Sequence, residues 1–162
     1  RSILFHGALV EDGKLAAAWV VADKADVFAT ESLGGKASGT IVGGNLSLVE
    51  AMACTGELYI PLGSILALED VSERPYRIDR MLTSLALGGH LSRVTGIVFG
   101  SFVGCDPGSD GVRTLDVLAE RTKRLGIPVL ADAPFGHGED NDTFVLGSRA
   151  TIEGDTVKLT GA

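Results

Sequence analysis

The sequence has few of the residues from which sites for nucleic acid, metal ions or membranes are built. Its 162 residues carry 14 Lys and Arg against 21 Asp and Glu, and the basic residues form no cluster that could neutralise a phosphate backbone. The three histidines lack the i, i+4 spacing of a helical metal site. No apolar run approaches the roughly 20 residues that span a bilayer. We therefore expect no nucleic-acid partner, no metal or other cofactor and no membrane insertion.

Cysteine is also scarce. Cys54 and Cys105 show neither C-x-x-C nor zinc-finger spacing. They could form one disulfide, but the expectation is a reduced pair, as is usual for cytosolic proteins. No signal-peptide pattern is visible, and the expected location is the cytoplasm. The chain opens at Arg1 inside an apolar run and without Met, which is typical of the middle of a longer polypeptide; a trimmed natural start is the alternative.

Hydrophobic residues are plentiful, at 45%, which excludes a disordered chain. A domain near this length buries roughly two-thirds of its unfolded surface and can support a core without disulfides. The 22 glycines have no collagen-like period and lie at turn positions between short elements. One domain over residues 1–162 is the prediction.

Apolar periodicity and turn residues divide the chain into short strands and helices. The predicted strands are 1–10, 26–30, 37–42, 64–68, 94–99, 129–131, 143–146 and 156–159. The predicted helices are 14–21, a helix capped by Asn45 after a strand break at Gly43-Gly44, 77–87 and 112–124. Strands and helices alternate from residue 64 to residue 131, which predicts a parallel sheet with β-rich layers added on either side.

Two segments with chemically useful side chains follow predicted strands. Glu69 and Asp70 end one strand, and His137 stands between Gly136 and Gly138 after another. Sites in open parallel sheets gather beyond the carboxyl ends of the strands. A histidine backed by a carboxylate is the orienting half of a nucleophilic triad. Position alone leaves a second interpretation open, a loop histidine and a solvated acidic pair.

Other candidates are weaker. His6 and His90 are interpreted as structural, and Cys105 as an incidental loop thiol without an activating base. The glycines at 43–44 and Asn45 could present backbone amides to an anion at a helix N-terminus, or form a simple cap.

A nucleophilic serine is not evident. There is no Gly-x-Ser-x-Gly elbow. Ser47 lies in the first turn of a predicted helix, and Ser64 and Ser101 lie at strand edges. None of the three is predicted to be an activated nucleophile.

Five segments, in this order, resemble the C-terminal domain of the LD-carboxypeptidases, a family that also includes microcin-C-type immunity peptidases. The resemblance covers about residues 38–150 and is carried by residues 43–48 (GGNLSL), 65–82 (ILALEDVSERPYRIDRML), 96–100 (GIVFG), 126–130 (GIPVL) and 134–138 (PFGHG). It implies an α/β fold, a swivelling β/β/α three-layer domain with a central parallel sheet. It also implies a flavodoxin-like N-terminal domain, absent from this chain, that supplies the triad's serine.

The resemblance implies a serine carboxypeptidase that cleaves the amide between an L-centre and a terminal D-amino acid. Its classic reaction removes D-Ala from the murein tetrapeptide during cytoplasmic cell-wall recycling, without metal or cofactor. Glu69 and His137 match the family's triad Glu and His. Asn45 matches a Gly-Gly-Asn turn that faces the cleft, so we expect a substrate contact there.

Glu73, four residues after the triad Glu, bears on the choice of substrate. The immunity branch carries a basic residue near this position, whereas an acidic one suits the free amino group of a diaminopimelate side chain. The resemblance therefore favours the murein branch. Two alternatives stay open: a microcin-type amidase acting on a peptide-nucleotide, and a non-catalytic binding or assembly domain. Dimerisation is common in the family, so a homodimer is a further expectation.

The isolated 162 residues are predicted to be inactive. The resemblance assigns the nucleophile and the oxyanion-hole amides to the N-terminal domain. Triad residues act as a unit, and the loss of one member removes most of the rate.

Overall fold

The computed structural model describes residues 8–11, 14–17, 27–29, 31–32 and 35–160. Within these ranges the strands are β1 Ala8–Glu11, β2 Lys14–Ala17, β3 Val27–Ala29, β4 Glu31–Ser32, β5 Lys36–Asn45, β6 Ser64–Val71, β7 Val94–Val103, β8 Val129–Ala131, β9 Arg149–Glu153 and β10 Thr156–Thr160. The helices are α1 Leu46–Thr55, α2 Pro75–Leu87 and α3 Thr114–Thr122, with a short 3-10 helix at His90–Arg93.

Eight strands of the described ranges form one mixed sheet in the order β3-β10-β9-β5-β6-β7-β8-β4. The neighbours from β5 to β8 are parallel, and the outer pairs are antiparallel. One helix connects each parallel strand to the next, so the centre is three successive βαβ units. The parallel sheet predicted over residues 64–131 is confirmed, and β5 extends it by one strand.

The two faces of the sheet bury separate apolar clusters, because side chains alternate along a strand. Leu66 and Leu68 of β6 pack with the helices, among them Leu82 of α2. Ile65 and Ala67 face the other way and join a cluster that includes Phe135, Phe144 and Ile152. A sheet with a parallel centre and helices packed on one face is the predicted α/β architecture.

The helix predicted over residues 14–21 is wrong where the structure describes it. Lys14–Ala17 is a strand that pairs antiparallel with Ala8–Glu11, with Glu11 opposite Lys14. The sequence between the two strands is Asp12-Gly13, a dipeptide typical of two-residue hairpin turns. Apolar periodicity over so short a run did not distinguish helix from strand. Residues 1–7 of the strand predicted at 1–10, and residues 18–21 of the predicted helix, lie outside the described residues.

The strand break predicted at Gly43-Gly44 is also wrong, since β5 continues to Asn45. Both glycines have positive φ, 141° and 150°, while remaining paired with β6. A Cβ on Gly43 would lie 1.9 Å from the carbonyl oxygen of Ala67. Glycine therefore serves close approach of two strands here, not a turn.

The strand predicted at residues 143–146 is a third error. The strand that pairs with β10 is β9, Arg149–Glu153, around the predicted turn at residues 154–155. Phe144 and Leu146 are buried against the sheet from an irregular segment. Their alternate burial imitates the pattern of a strand. None of the helices within the described ranges has the length and hydropathy needed to cross a membrane.

Candidate active site

Glu69 and His137 meet at the rim where the parallel strands end. Glu69 is the sixth residue of β6 and its side chain is 1% exposed, whereas that of His137 is 43% exposed on the segment after β8. Nδ1 of His137 lies 2.7 Å from Oε2 of Glu69. The contact expected between these two side chains is therefore present, and solvent reaches the ring.

The environment of Glu69 favours its neutral form. Burial raises the pKa of the Glu69 carboxyl, and the negative charge of Asp70 raises it further. The hydrogen bond and charge of His137, together with the Asn45 side chain, act in the opposite direction. Among the described residues no atom hydrogen-bonds to the buried Oε1 of Glu69. The contact with His137 is thus the largest influence that lowers the pKa of this carboxyl against the effect of burial.

The glycine before His137 makes the contact possible. Gly136 is buried and has a φ of 115°. A Cβ there would lie 2.9 Å from Oε2 of Glu69 and 2.7 Å from Oγ of Ser101. A side chain at this position would push the loop away from the carboxylate.

Asn45 lies beside Glu69 in the strand register and begins α1 as predicted. Its Oδ1 accepts a hydrogen bond from the Leu48 amide at 3.2 Å, which confirms the predicted cap. Its Nδ2 donates to Oδ1 of Asp70 at 3.0 Å. On this helix Leu48 is 52% exposed and does not belong to the core.

Asp70 is a residue whose role the sequence did not reveal. It is buried, and besides Asn45 its carboxylate accepts from the Val71 amide and from both the amide and hydroxyl of Ser47. The Ser47 amide at the start of α1 is therefore already bonded to a carboxylate. That contact disfavours an anion site at this helix N-terminus and explains the hydroxyl of Ser47 as structural.

Glu73 lies two residues beyond β6, half-buried, and its carboxylate is 3.4 Å from Nη1 of Arg77 one helical turn later. Arg77 also donates from Nε to the Tyr76 hydroxyl. In the described structure Glu73 makes no hydrogen bond to Glu69 or His137. The expected substrate contact by Glu73 stays a prediction.

The other histidine and cysteine candidates within the described residues take no part in the contact between Glu69 and His137. His90 is in the short 3-10 helix, and burial lowers its pKa. Cys54 is exposed and Cys105 buried, both with free thiols. Within the described part of the chain no three His, Cys, Asp or Glu side chains are arranged to hold a metal ion. His6 lies outside the described residues.

Comparison with protein families finds a match to the LD-carboxypeptidase C-terminal domain over residues 38–152. The chain is 43% identical over 127 residues to a Synechocystis sp. protein named as a carboxypeptidase, covering 77% of this chain and 42% of that protein. It is 35% identical over 133 residues to the murein tetrapeptide carboxypeptidase of Pseudomonas aeruginosa, covering 79% and 43%. The chain thus spans less than half the length of the curated relatives it matches.

Solved structures share the fold. The muramoyltetrapeptide carboxypeptidase of Oxalobacter formigenes superposes with a TM-score of 0.72 at 31% identity, over 84% of this chain and 48% of that one. The protein MccF, solved with glutamyl sulfamoyl guanosine, superposes with a TM-score of 0.71 at 24% identity, over 86% and 42%.

Proposed function

Because the chain belongs to the LD-carboxypeptidase family and matches its C-terminal domain, we propose that Glu69 and His137 are two members of a Ser-Glu-His triad that hydrolyses murein peptides. The observation that carries this proposal is the 2.7 Å contact between Nδ1 of His137 and the buried carboxylate of Glu69. A buried carboxylate that orients an exposed imidazole is the arrangement found in serine triads.

The geometry assigns a task to each nitrogen of the ring. An ionised carboxylate can only accept hydrogen bonds, so the neutral ring carries its proton on Nδ1 and leaves Nε2 as the base. Among the described residues no atom hydrogen-bonds to Nε2, and the ring is solvent-exposed. In the proposed reaction Nε2 takes the serine's proton and later donates it to the leaving D-amino acid. Glu69 stabilises the imidazolium formed between these steps.

The nucleophile is proposed to come from a separate N-terminal domain. Two serines near the parallel strands already have structural partners: Ser47 bonds to Asp70, and Ser64 to the Pro61 carbonyl. The relatives extend over more than twice the length matched by this chain. The complete enzyme is therefore expected to hold the serine and the oxyanion-hole amides opposite the exposed ring of His137.

The test is D-Ala release from murein tetrapeptide by a protein that joins this chain to the serine-bearing domain. Replacing His137 by Ala or Glu69 by Gln should lower kcat by about 10³-fold or more, since triad members act as a unit. The control is His90→Ala, which changes the other described histidine and should retain activity. Full activity in His137→Ala would refute the proposal.

Glu73 is proposed to select the murein substrate by binding the free amino group of diaminopimelate. Its side chain is 22% exposed, and its contact with Arg77 is a surface ion pair at 3.4 Å that the ammonium group of a substrate would share or replace. Replacing Glu73 by Lys should raise KM for diaminopimelate tetrapeptide by about tenfold, an effect of the size expected for a lost charged hydrogen bond.

The same variant distinguishes the two branches of the family. Glu73→Lys should not weaken hydrolysis of an aminoacyl-nucleotide substrate, because that substrate lacks the diaminopimelate amino group. A matched control is Glu57→Lys, an exposed acidic residue beyond the end of α1. Equal KM values for tetrapeptide in Glu73→Lys and the unmodified enzyme would contradict the assignment.

A further inference from the structure

We propose that Ser101 is a positioning residue that holds the His137 loop in its working geometry. This inference rests on the proposed function of His137, but its structural part can be tested without any peptidase assay. From the sequence, Ser101 was predicted only to lie at a strand edge, without a role.

The Ser101 hydroxyl bonds to the loop on both sides of His137. Oγ donates to the carbonyl of Phe135 at 3.1 Å and accepts the amide of Gly138 at 3.1 Å. The Ser101 backbone amide also donates to the Phe135 carbonyl, at 2.8 Å. Three hydrogen bonds from one residue of β7 therefore bracket the two-residue segment that carries the imidazole.

An irregularity in the sheet puts the hydroxyl there. Leu68 pairs with Phe99, but Asp70, two residues on, pairs with Phe102, three residues on. Strand β7 thus has one extra residue opposite Glu69, a β-bulge, and Ser101 lies in it. Bulges re-aim side chains and are common beside active sites.

The packing of the two flanking phenylalanines supports the bulge. Phe99 and Phe102 both contact the cluster on the helix side of the sheet, although residues three apart in a regular strand face opposite ways. The extra residue shifts the alternation by one position after Phe99, so that Phe102 returns to the helix side. It leaves Ser101 directed at the loop on the Glu69 side.

The space between the Ser101 side chain and the His137 loop admits no side chain at either flanking glycine without a shift. A Cβ on Gly136 would lie 2.7 Å from Oγ of Ser101, and one on Gly138 would lie 3.3 Å from the Ser101 Cβ. The glycines on both sides of His137 thus permit the loop to sit against Ser101 and Glu69 together. The Gly-His-Gly segment and Ser101 in the bulge therefore pack against each other directly.

The proposed consequence is that Ser101 fixes the position of the ring relative to the nucleophile. The hydroxyl makes no hydrogen bond to the His137 ring, so it acts only through the loop backbone. Loss of this support should affect the chemical step more than substrate binding, because small displacements of a catalytic group reduce rate steeply.

The experiment compares Ser101→Ala with Ser64→Ala in the complete enzyme and in this chain. Ser64 is a matched control: it is a strand serine whose hydroxyl donates to a backbone carbonyl, at the other end of the parallel strands. Ser101→Ala should lower kcat by about tenfold with KM within about twofold. Ser64→Ala should leave kcat within about twofold.

The second readout is amide hydrogen exchange of Gly138 by NMR. In the unmodified chain this amide should be protected, and in Ser101→Ala its exchange should accelerate by about tenfold or more, with no change in Ser64→Ala. Fast exchange of the Gly138 amide in the unmodified chain would overturn the proposal that Ser101 holds the His137 loop. Protection lost without any change in kcat would overturn the catalytic consequence and leave the proposed function of His137 untouched.

Discussion

At the scale of single residues, the proposed triad depends on one carboxylate placed where charge is costly. Glu69 is buried in the strand that begins at Ser64, and one of its oxygens has no hydrogen-bond partner among the described residues. A structural role would be served better by an apolar side chain, because an unpaired buried polar atom destabilises the fold. The contact with His137 is the feature that accounts for a carboxylate at this buried position.

The pH dependence of the free energy of unfolding should show how much the buried, ionised Glu69 carboxylate destabilises the fold. Burial raises the pKa of Glu69 above its ordinary value of 4.5, so the folded state holds this proton more tightly than the unfolded state. The stability that Glu69 contributes in its protonated form is therefore fully present below about pH 4.5. It is lost as the pH rises through the pKa that Glu69 has in the folded state. Replacing Glu69 by Gln removes this titration. The free energy of unfolding of Glu69→Gln, relative to the unmodified chain, should rise from acidic toward neutral pH.

Denaturant unfolding at a series of pH values measures this difference. Glu153→Gln provides a control of opposite sign, because Lys36 and Lys158 lower the pKa of Glu153 on the surface. Its relative stability should fall slightly over the same range, as expected for exposed pairs. A relative stability of Glu69→Gln that is independent of pH would contradict the effect of burial on this carboxyl.

At the scale of elements, long periodic segments were predictable and short or glycine-rich ones were not. The helix with Ile78, Met81, Leu82 and Leu85 buried was predicted, and it begins only two residues earlier, at Pro75. Proline at the first helical position fits the free helix N-terminus. The antiparallel pairing of Ala8–Glu11 with Lys14–Ala17 was missed because four-residue strands carry too little periodicity.

The candidate site shows the same division. The rule that sites gather at the carboxyl ends of parallel strands makes Glu69 and His137 candidates, and the family resemblance selects them. The bulge at Ser101 does not, because it depends on the register between two strands that are distant in sequence. The four hydrogen bonds to Asp70 likewise need tertiary structure to be seen. Pairing register, not residue type, was the missing information.

At the scale of the whole molecule, one rim of the sheet gathers the proposed functional side chains. Asn45 ends β5, Glu69 lies near the end of β6, Ser101 lies near the end of β7, and His137 follows β8. Four successive parallel strands thus each present one of these residues. The apolar clusters on both faces hold the strands in register beneath them. A partner domain that brings a serine to this rim would complete the triad.

The most direct measurement of the central claim is the tautomer of His137, observed by long-range proton–nitrogen NMR on the ring nitrogens at a pH where the ring is neutral. We predict a proton on Nδ1 and an unprotonated Nε2, and we expect Glu69→Gln to disturb this preference while His90 is unaffected. A neutral ring with its proton on Nε2, or ring signals indifferent to Glu69→Gln, would contradict the pairing on which the proposed triad depends.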